Sequence, residues 1–233
     1  MFFDPLYFLF ALPGLALSLW AQFKVKSTFG RYSQVLAQSG MSGAEAAREL
    51  ILRRGLQGVR VEETPGTLSD HYDPFHKVLR LSRDVYHGRS LAALGVAAHE
   101  AGHAIQHAHA YGPLTYRSLL VKPANLGSSL GMMLASVGFL LQASSLTLAG
   151  ILLFSVAVLF TLVTLPVEFD ASRRAVVALR ELGIVTTSES SGAKAVLDAA
   201  ALTYVAAALS AVLQLLYFLM RAGLLGGRRE SES

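Results

Sequence analysis

His99 and His103 stand four residues apart with Glu100 beside the first, in the stretch AAHEAGHAIQHAHAYG at residues 97–112. On a helix this spacing puts both imidazoles on one face, a turn apart. That separation suits two ligands of one tetrahedral Zn²⁺. Glu100 lies about 100° further round the helix, able to reach a water at the ion without binding the ion itself. This is the HExxH arrangement of zinc hydrolases. Zinc lowers the pKa of bound water toward about 7 and polarises a carbonyl. A carboxylate so placed takes the proton of the attacking water and hands it to the leaving amine. The plain alternative is an Ala/His-rich helix surface. Against it, Gly102 costs a helix about 1 kcal/mol relative to Ala, which a purely structural helix would avoid. The chain contains no cysteine, so disulfides, thiolate catalysis and sulfur ligands are excluded together. Any metal must be held by histidine and carboxylate.

A catalytic zinc needs a third protein ligand and an open position. His107 continues the i+4 series, but three successive turns of one straight helix do not converge on one ion. His109 falls where HExxHxxGxxH proteins place their third histidine. That pattern has a glycine where this chain has Gln106, so His109 is the lesser candidate. Glu168 is the better one, on a separate helix downstream. Asp170 lies about 200° from it on that helix and is expected to face elsewhere, as a solvated acid near Arg173 and Arg174.

Those residues are set in an apolar chain. Only 15% of its 233 residues are charged, against about a quarter in soluble domains. The deficit is concentrated in three uncharged blocks, of which the first and third each fit one span of about 20 residues. The middle block, Pro123–Val167, is twice too long for one span and carries the polar notch QASS at Gln142–Ser145. It reads as two spans joined by a turn. The expected spans are 5–23, 123–141, 146–166 and 199–220. The first lacks a basic leader and a small-residue cleavage site, and so reads as a retained anchor bent at Pro13. Two crossings between His103 and Glu168 return the chain to the same side of the bilayer, as a shared metal requires. The net charge of +4 is scattered beside the spans, which points to anionic lipid and away from nucleic acid.

Residues 24–122 are the expected catalytic domain. Ser42 and Glu45 form a capping box for a helix that Gly55 stops. VRVEETPG and KVLRLS alternate as short strands around the turn-rich LSDHYDPFH. Ser90 caps the motif helix, about 90–109, which ends near Gly112–Pro113. Residues 167–198 open with a helix begun by Pro166 and stopped at Gly183, and 221–233 form a disordered tail.

With these residues in hand, the chain resembles the YugP-type membrane zinc metallopeptidases, the neutral zinc metallopeptidase family. The likeness runs through SGMSGAEAAREL, LSDHYDP, VLRLSRDVYHGRSLAALGVAAHEAGHAIQ and LPVEFDASRRA. It implies a mainly α integral membrane protein with about four transmembrane helices and a small α+β zincin-like domain carrying HExxH. It also implies a zinc-dependent bacterial protease acting on protein or peptide, with His99 and His103 as ligands, Glu100 as base and one Zn²⁺ per chain. Glu168 as third ligand is similar to the more distant HtpX-like gluzincins. Those carry an aspartate four residues after the ligand glutamate, where this chain has Ser172, so a carboxylate that would orient a ligand histidine is missing there. By the same analogy VLRLS becomes the edge strand that pairs with substrate. His71, Tyr72 and Asp73 either position substrate or simply shape a turn.

Lys24, Lys26, Arg31, Arg117, Lys122, Arg173, Arg174 and Arg180 fall on the side of the proposed site, which by the positive-inside rule is cytoplasmic. Arg221, Arg228 and Arg229 run against that assignment. Two rivals remain. A site-2-type intramembrane protease would carry its motif inside a span with a distant LDG, whereas the nearest approach here is LDA at Leu197–Ala199. A zinc transporter would need ionisable residues inside its spans, and all four are uncharged.

Overall fold

A computed structural model describes residues 4–225 of the chain. In order it holds α1 (Pro5–Ser33), α2 (Gly43–Arg53), β1 (Arg60–Thr64), β2 (His71–Asp73), β3 (Val78–Ser82), α3 (Arg83–Tyr86), α4 (Leu91–Ala108), α5 (Gly112–Leu141), α6 (Ser144–Glu181) and α7 (Thr187–Arg221). Helices α1, α5, α6 and α7 are long and apolar enough to cross a membrane. The tail expected to be disordered lies, from residue 226 on, outside the described residues.

Two compact units share these helices. The first comprises the chain up to Trp20, Tyr116–Leu165 and the chain from Tyr204 on. Apolar burial gives little drive for helices to associate in lipid, so close van der Waals contact between small residues must do it. On α5, Gly127, Gly131, Ala135 and Gly138 are all buried. A Cβ on Gly131 would stand 2.6 Å from the Phe154 nitrogen of α6, and one on Gly150 of α6 would collide with the Ala135 backbone. A Cβ on Gly14 of α1 would stand 2.5 Å from the Ser210 hydroxyl of α7 and 3.1 Å from its Cα. The turn between α5 and α6 falls at Gln142–Ala143, with Gln142 in the left-handed region at φ 54°. Asp4 is ion-paired with Arg221, and Tyr217 donates its hydroxyl to Asp4 at 3.0 Å.

The second unit comprises Ala21–Thr115 and Pro166–Thr203. Ser42 and Glu45 close a reciprocal capping box on α2, and the Ser90 hydroxyl accepts from the Ala93 N–H at the start of α4. The core joins Ala46, Ala47 and Leu50 of α2 with Leu79 and Leu81 of β3. It continues through Ala97, Ala101 and Ala104 of α4 to Ala175, Ala178 and Leu179 of α6. The sheet order is β1-β3-β2, with β1 parallel and β2 antiparallel to β3. VLRLS is therefore the central strand, with both its edges taken, and the expectation that it receives substrate is corrected. No local pattern distinguishes a middle strand from an outer one when all three are short. Asp70 anchors β3 by accepting from the Ser82 N–H and hydroxyl.

A second correction concerns Pro166. It does not begin a new helix: α6 runs unbroken through it for 38 residues. The decisive contact in this unit lies a few residues on. A Cβ on Gly102 of α4 would stand 2.6 Å from the Ala171 carbonyl oxygen of α6, so only glycine lets the two backbones come this near. Gly102→Ala, which favours a free helix by about 1 kcal/mol, should here destabilise the protein by about 1–3 kcal/mol through overpacking. Gly30→Ala, in α1 with nothing within 4 Å of the new carbon, should show the opposite sign. Thermal unfolding in detergent compares the two.

Candidate metal centre

Helix α4 projects His99 and His103 from one face, as the i, i+4 spacing dictates. Their rings are 4.7 Å apart between centroids and nearly perpendicular at 83°. The Gly102–Ala171 approach brings Glu168 of α6 between them. Its Oε2 is 3.1 Å from His99 Nε2 and 3.6 Å from His103 Nε2. One donor atom from each of the three residues lies within 4.8 Å of the others. Donors about 2.0–2.1 Å from a single tetrahedral zinc are roughly 3.3 Å apart, so two imidazole nitrogens and a carboxylate oxygen at these separations fit one such ion. Glu168 is 1% exposed, and His103 and Glu100 are also buried.

The surroundings of His103 favour positive charge on its ring. Burial works against charge on His103. Its hydrogen bond with Glu168 and the negative charges of Glu100 and Glu168 outweigh that effect and hold its pKa above the ordinary histidine value.

The groups behind the donors were the part the sequence left blank. Ser172 lies with its hydroxyl 3.1 Å from His99 Nδ1, the place where an aspartate was noted as missing. His103 Nδ1 is 3.0 Å from Gln106 Oε1. The Gln106 amide in turn donates to the Val167 carbonyl at 2.8 Å and to Asp170 Oδ2 at 3.0 Å. Asp170 is ion-paired with Arg173 and Arg174, as expected, but it is buried and bound to the motif helix. The expectation that it is a solvated acid facing elsewhere is corrected. The long side chain of Gln106 reaches round α6 to meet it, which an angle taken along α6 alone does not register.

The remaining candidates separate from the cluster. His109 caps the end of α4 and lies 3.4 Å from the Arg174 guanidinium. His107 is one turn beyond His103, with its Nδ1 2.9 Å from the Tyr72 hydroxyl. Asp73 shapes a turn: it accepts from the backbone N–H groups of Phe75 and His76 and pairs with Arg80. The His76 ring beside it, with Arg80, keeps its carboxyl well below the usual carboxylate range. His71 is exposed, with its ring on the Ser69 carbonyl.

The family described as "Putative neutral zinc metallopeptidase" matches residues 7–223. The "Putative membrane protease YugP" of Bacillus subtilis (strain 168) is 49% identical over 226 residues, covering 97% of this chain and 100% of the relative. No solved structure matches. A match of this extent, over a chain with four candidate spans and a clustered His99, His103 and Glu168, leaves one assignment: the protein belongs to the neutral zinc metallopeptidase family.

Proposed function

We propose that the protein is a membrane-bound zinc endopeptidase that hydrolyses peptide bonds of protein substrates at the cytoplasmic face of the bacterial inner membrane. One Zn²⁺ per chain is held by His99, His103 and Glu168, in a small α+β domain of gluzincin type. The observation that carries this reading is the convergence of those three donors at zinc-like separations. When bound, the ion polarises the substrate carbonyl and makes water acidic enough to be a nucleophile near neutral pH.

The chain's own residues do the rest. Glu100, on the same helix as both histidines, accepts the proton of the attacking water and returns it to the departing amine nitrogen. Its burial keeps that proton from bulk solvent. Strand β2 is outermost in the sheet and lies beside α4 through the Tyr72–His107 contact. An extended peptide adding to its free edge would gain backbone hydrogen bonds with little side-chain selection. The basic residues around the site favour the cytoplasmic side.

Zinc content and cleavage of a model protein substrate by the detergent-solubilised chain test the proposal. Glu100→Gln should keep zinc and lose about 10²–10⁴-fold in rate. Glu168→Gln and His103→Ala should lose the ion as well. A Glu100→Gln protein that cleaves at the parent rate overturns the assignment of the base. Zinc transport into vesicles without cleavage by the parent overturns the enzymatic reading.

The raised pKa of His103 fixes a further expectation. A proton and the ion compete for the same Nε2, so lowering the pH weakens zinc binding. The decline should begin above the ordinary histidine value of about 6.5 and reach about one logarithmic unit in Kd per pH unit from this group alone. Zinc titrations at several pH values in the inactive Glu100→Gln protein read it directly.

A further inference from the structure

The buried amide of Gln106 is held by three partners, and two of them decide how it points. The Val167 carbonyl at 2.8 Å and the Asp170 carboxylate at 3.0 Å only accept hydrogen bonds. Asp170 is kept ionised by Arg173 and Arg174 on either side. Turning the amide over would aim its oxygen at both acceptors inside a site with no exposure to solvent, since Gln106 is 0% exposed. An unmade buried hydrogen bond costs about 1–3 kcal/mol, and two would be lost. The NH₂ group therefore faces α6 and the oxygen faces His103 Nδ1 at 3.0 Å. An acceptor at that nitrogen requires its proton there, so in the neutral ring the lone pair is on Nε2, the atom turned toward Glu168. His99 has no such lock: the Ser172 hydroxyl at its Nδ1 can donate or accept.

We propose that Gln106 is a positioning residue for metal capture: anchored on α6 by Asp170 and the Val167 carbonyl, it fixes His103 in the Nδ1–H tautomer and presents Nε2 to the ion. This rests on the reading of His99, His103 and Glu168 as a metal site, and the experiment separates the two.

The tautomer is measured first, by ¹⁵N NMR of histidine-labelled, metal-free protein above the His103 titration. The expected signal is a protonated Nδ1 at His103. A protonated Nε2 there overturns the proposal, whatever the protein's affinity for metal. Zinc affinity is then measured in the Glu100→Gln background, where no turnover enters. Gln106→Leu should weaken zinc about 10–100-fold, the usual effect of losing a group behind a ligand histidine, and should release the tautomer. Gln106→Glu keeps an acceptor for His103 but sets a second carboxylate against Asp170, and should also bind more weakly. Adding Asp170→Asn to it removes that repulsion and should recover only part of the affinity, since the Val167 carbonyl still faces an oxygen. A merely structural role predicts an unchanged His103 tautomer in Gln106→Leu. Gln106→Leu binding zinc as tightly as the parent overturns the proposal. A Gln106→Leu protein in which His103 still carries its proton on Nδ1 does the same. A parent that binds no zinc while His103 carries its proton on Nδ1 would instead overturn the metal reading and leave the tautomer lock intact.

Discussion

The approach of α4 to α6 at Gly102 and Ala171 is the constraint on which the site depends. With no side chain at position 102, the backbones come close enough for a short carboxylate side chain on one helix to sit between two imidazoles on the other. A single added carbon would push against a backbone carbonyl, which has no rotamer to retreat into. Carboxylate–imidazole separations of 3.1 and 3.6 Å, a few tenths of an ångström from the spacing of donors around zinc, go with that contact. The helix loses about 1 kcal/mol of intrinsic stability by having glycine in its interior, and the geometry of three donors, His103 and Glu168 among them buried, is what it obtains in exchange.

Burying three ionisable groups together is expensive unless each polar atom has a partner. The protein meets this with neutral groups behind the histidines and charged ones one step further out. Ser172 and Gln106 take the Nδ1 atoms, and Asp170 with Arg173 and Arg174 steadies Gln106 from the more exposed side. Placing a full carboxylate directly on His103 would have raised the local negative charge beside Glu168 and Glu100. An amide transmits the orientation without the charge, while the ion pairs sit where solvent reaches the Arg173 side chain.

What the sequence disclosed divides along the same line. The shared face of His99 and His103 was legible because i, i+4 geometry is local. The meeting of Glu168 with His99 and His103 was legible from the two long apolar stretches expected between them. The capping residues Ser42 and Ser90 were legible because an N-cap bonds within its own turn. Gln106 had registered only as a residue occupying another pattern's glycine position, and its partners come from a helix some 60 residues away. Asp170 was misread because the angle between two residues on one helix says nothing about how far a neighbour's side chain can reach round it. The strand order was illegible for a related reason: three short strands of similar composition acquire an order only through pairing. Pro166 looks like a helix start, yet packing carried α6 straight through it.

That continuity gives α6 an unusual part. The same helix presents Gly150 to α5 in the first unit and Ala171 to α4 in the second, so close backbone packing holds it in both. In lipid such packing replaces the missing hydrophobic drive. Beside the metal site it sets a distance between donors. Because Glu168 lies in a helix, three residues before Ala171, its position within this unit is governed by helical rise and by the packing at Gly102. A ligand supplied by a loop would need further contacts to hold it. Here the contact of α6 with α4 is the support, and the face that α6 turns toward Gly102 decides where the third donor falls.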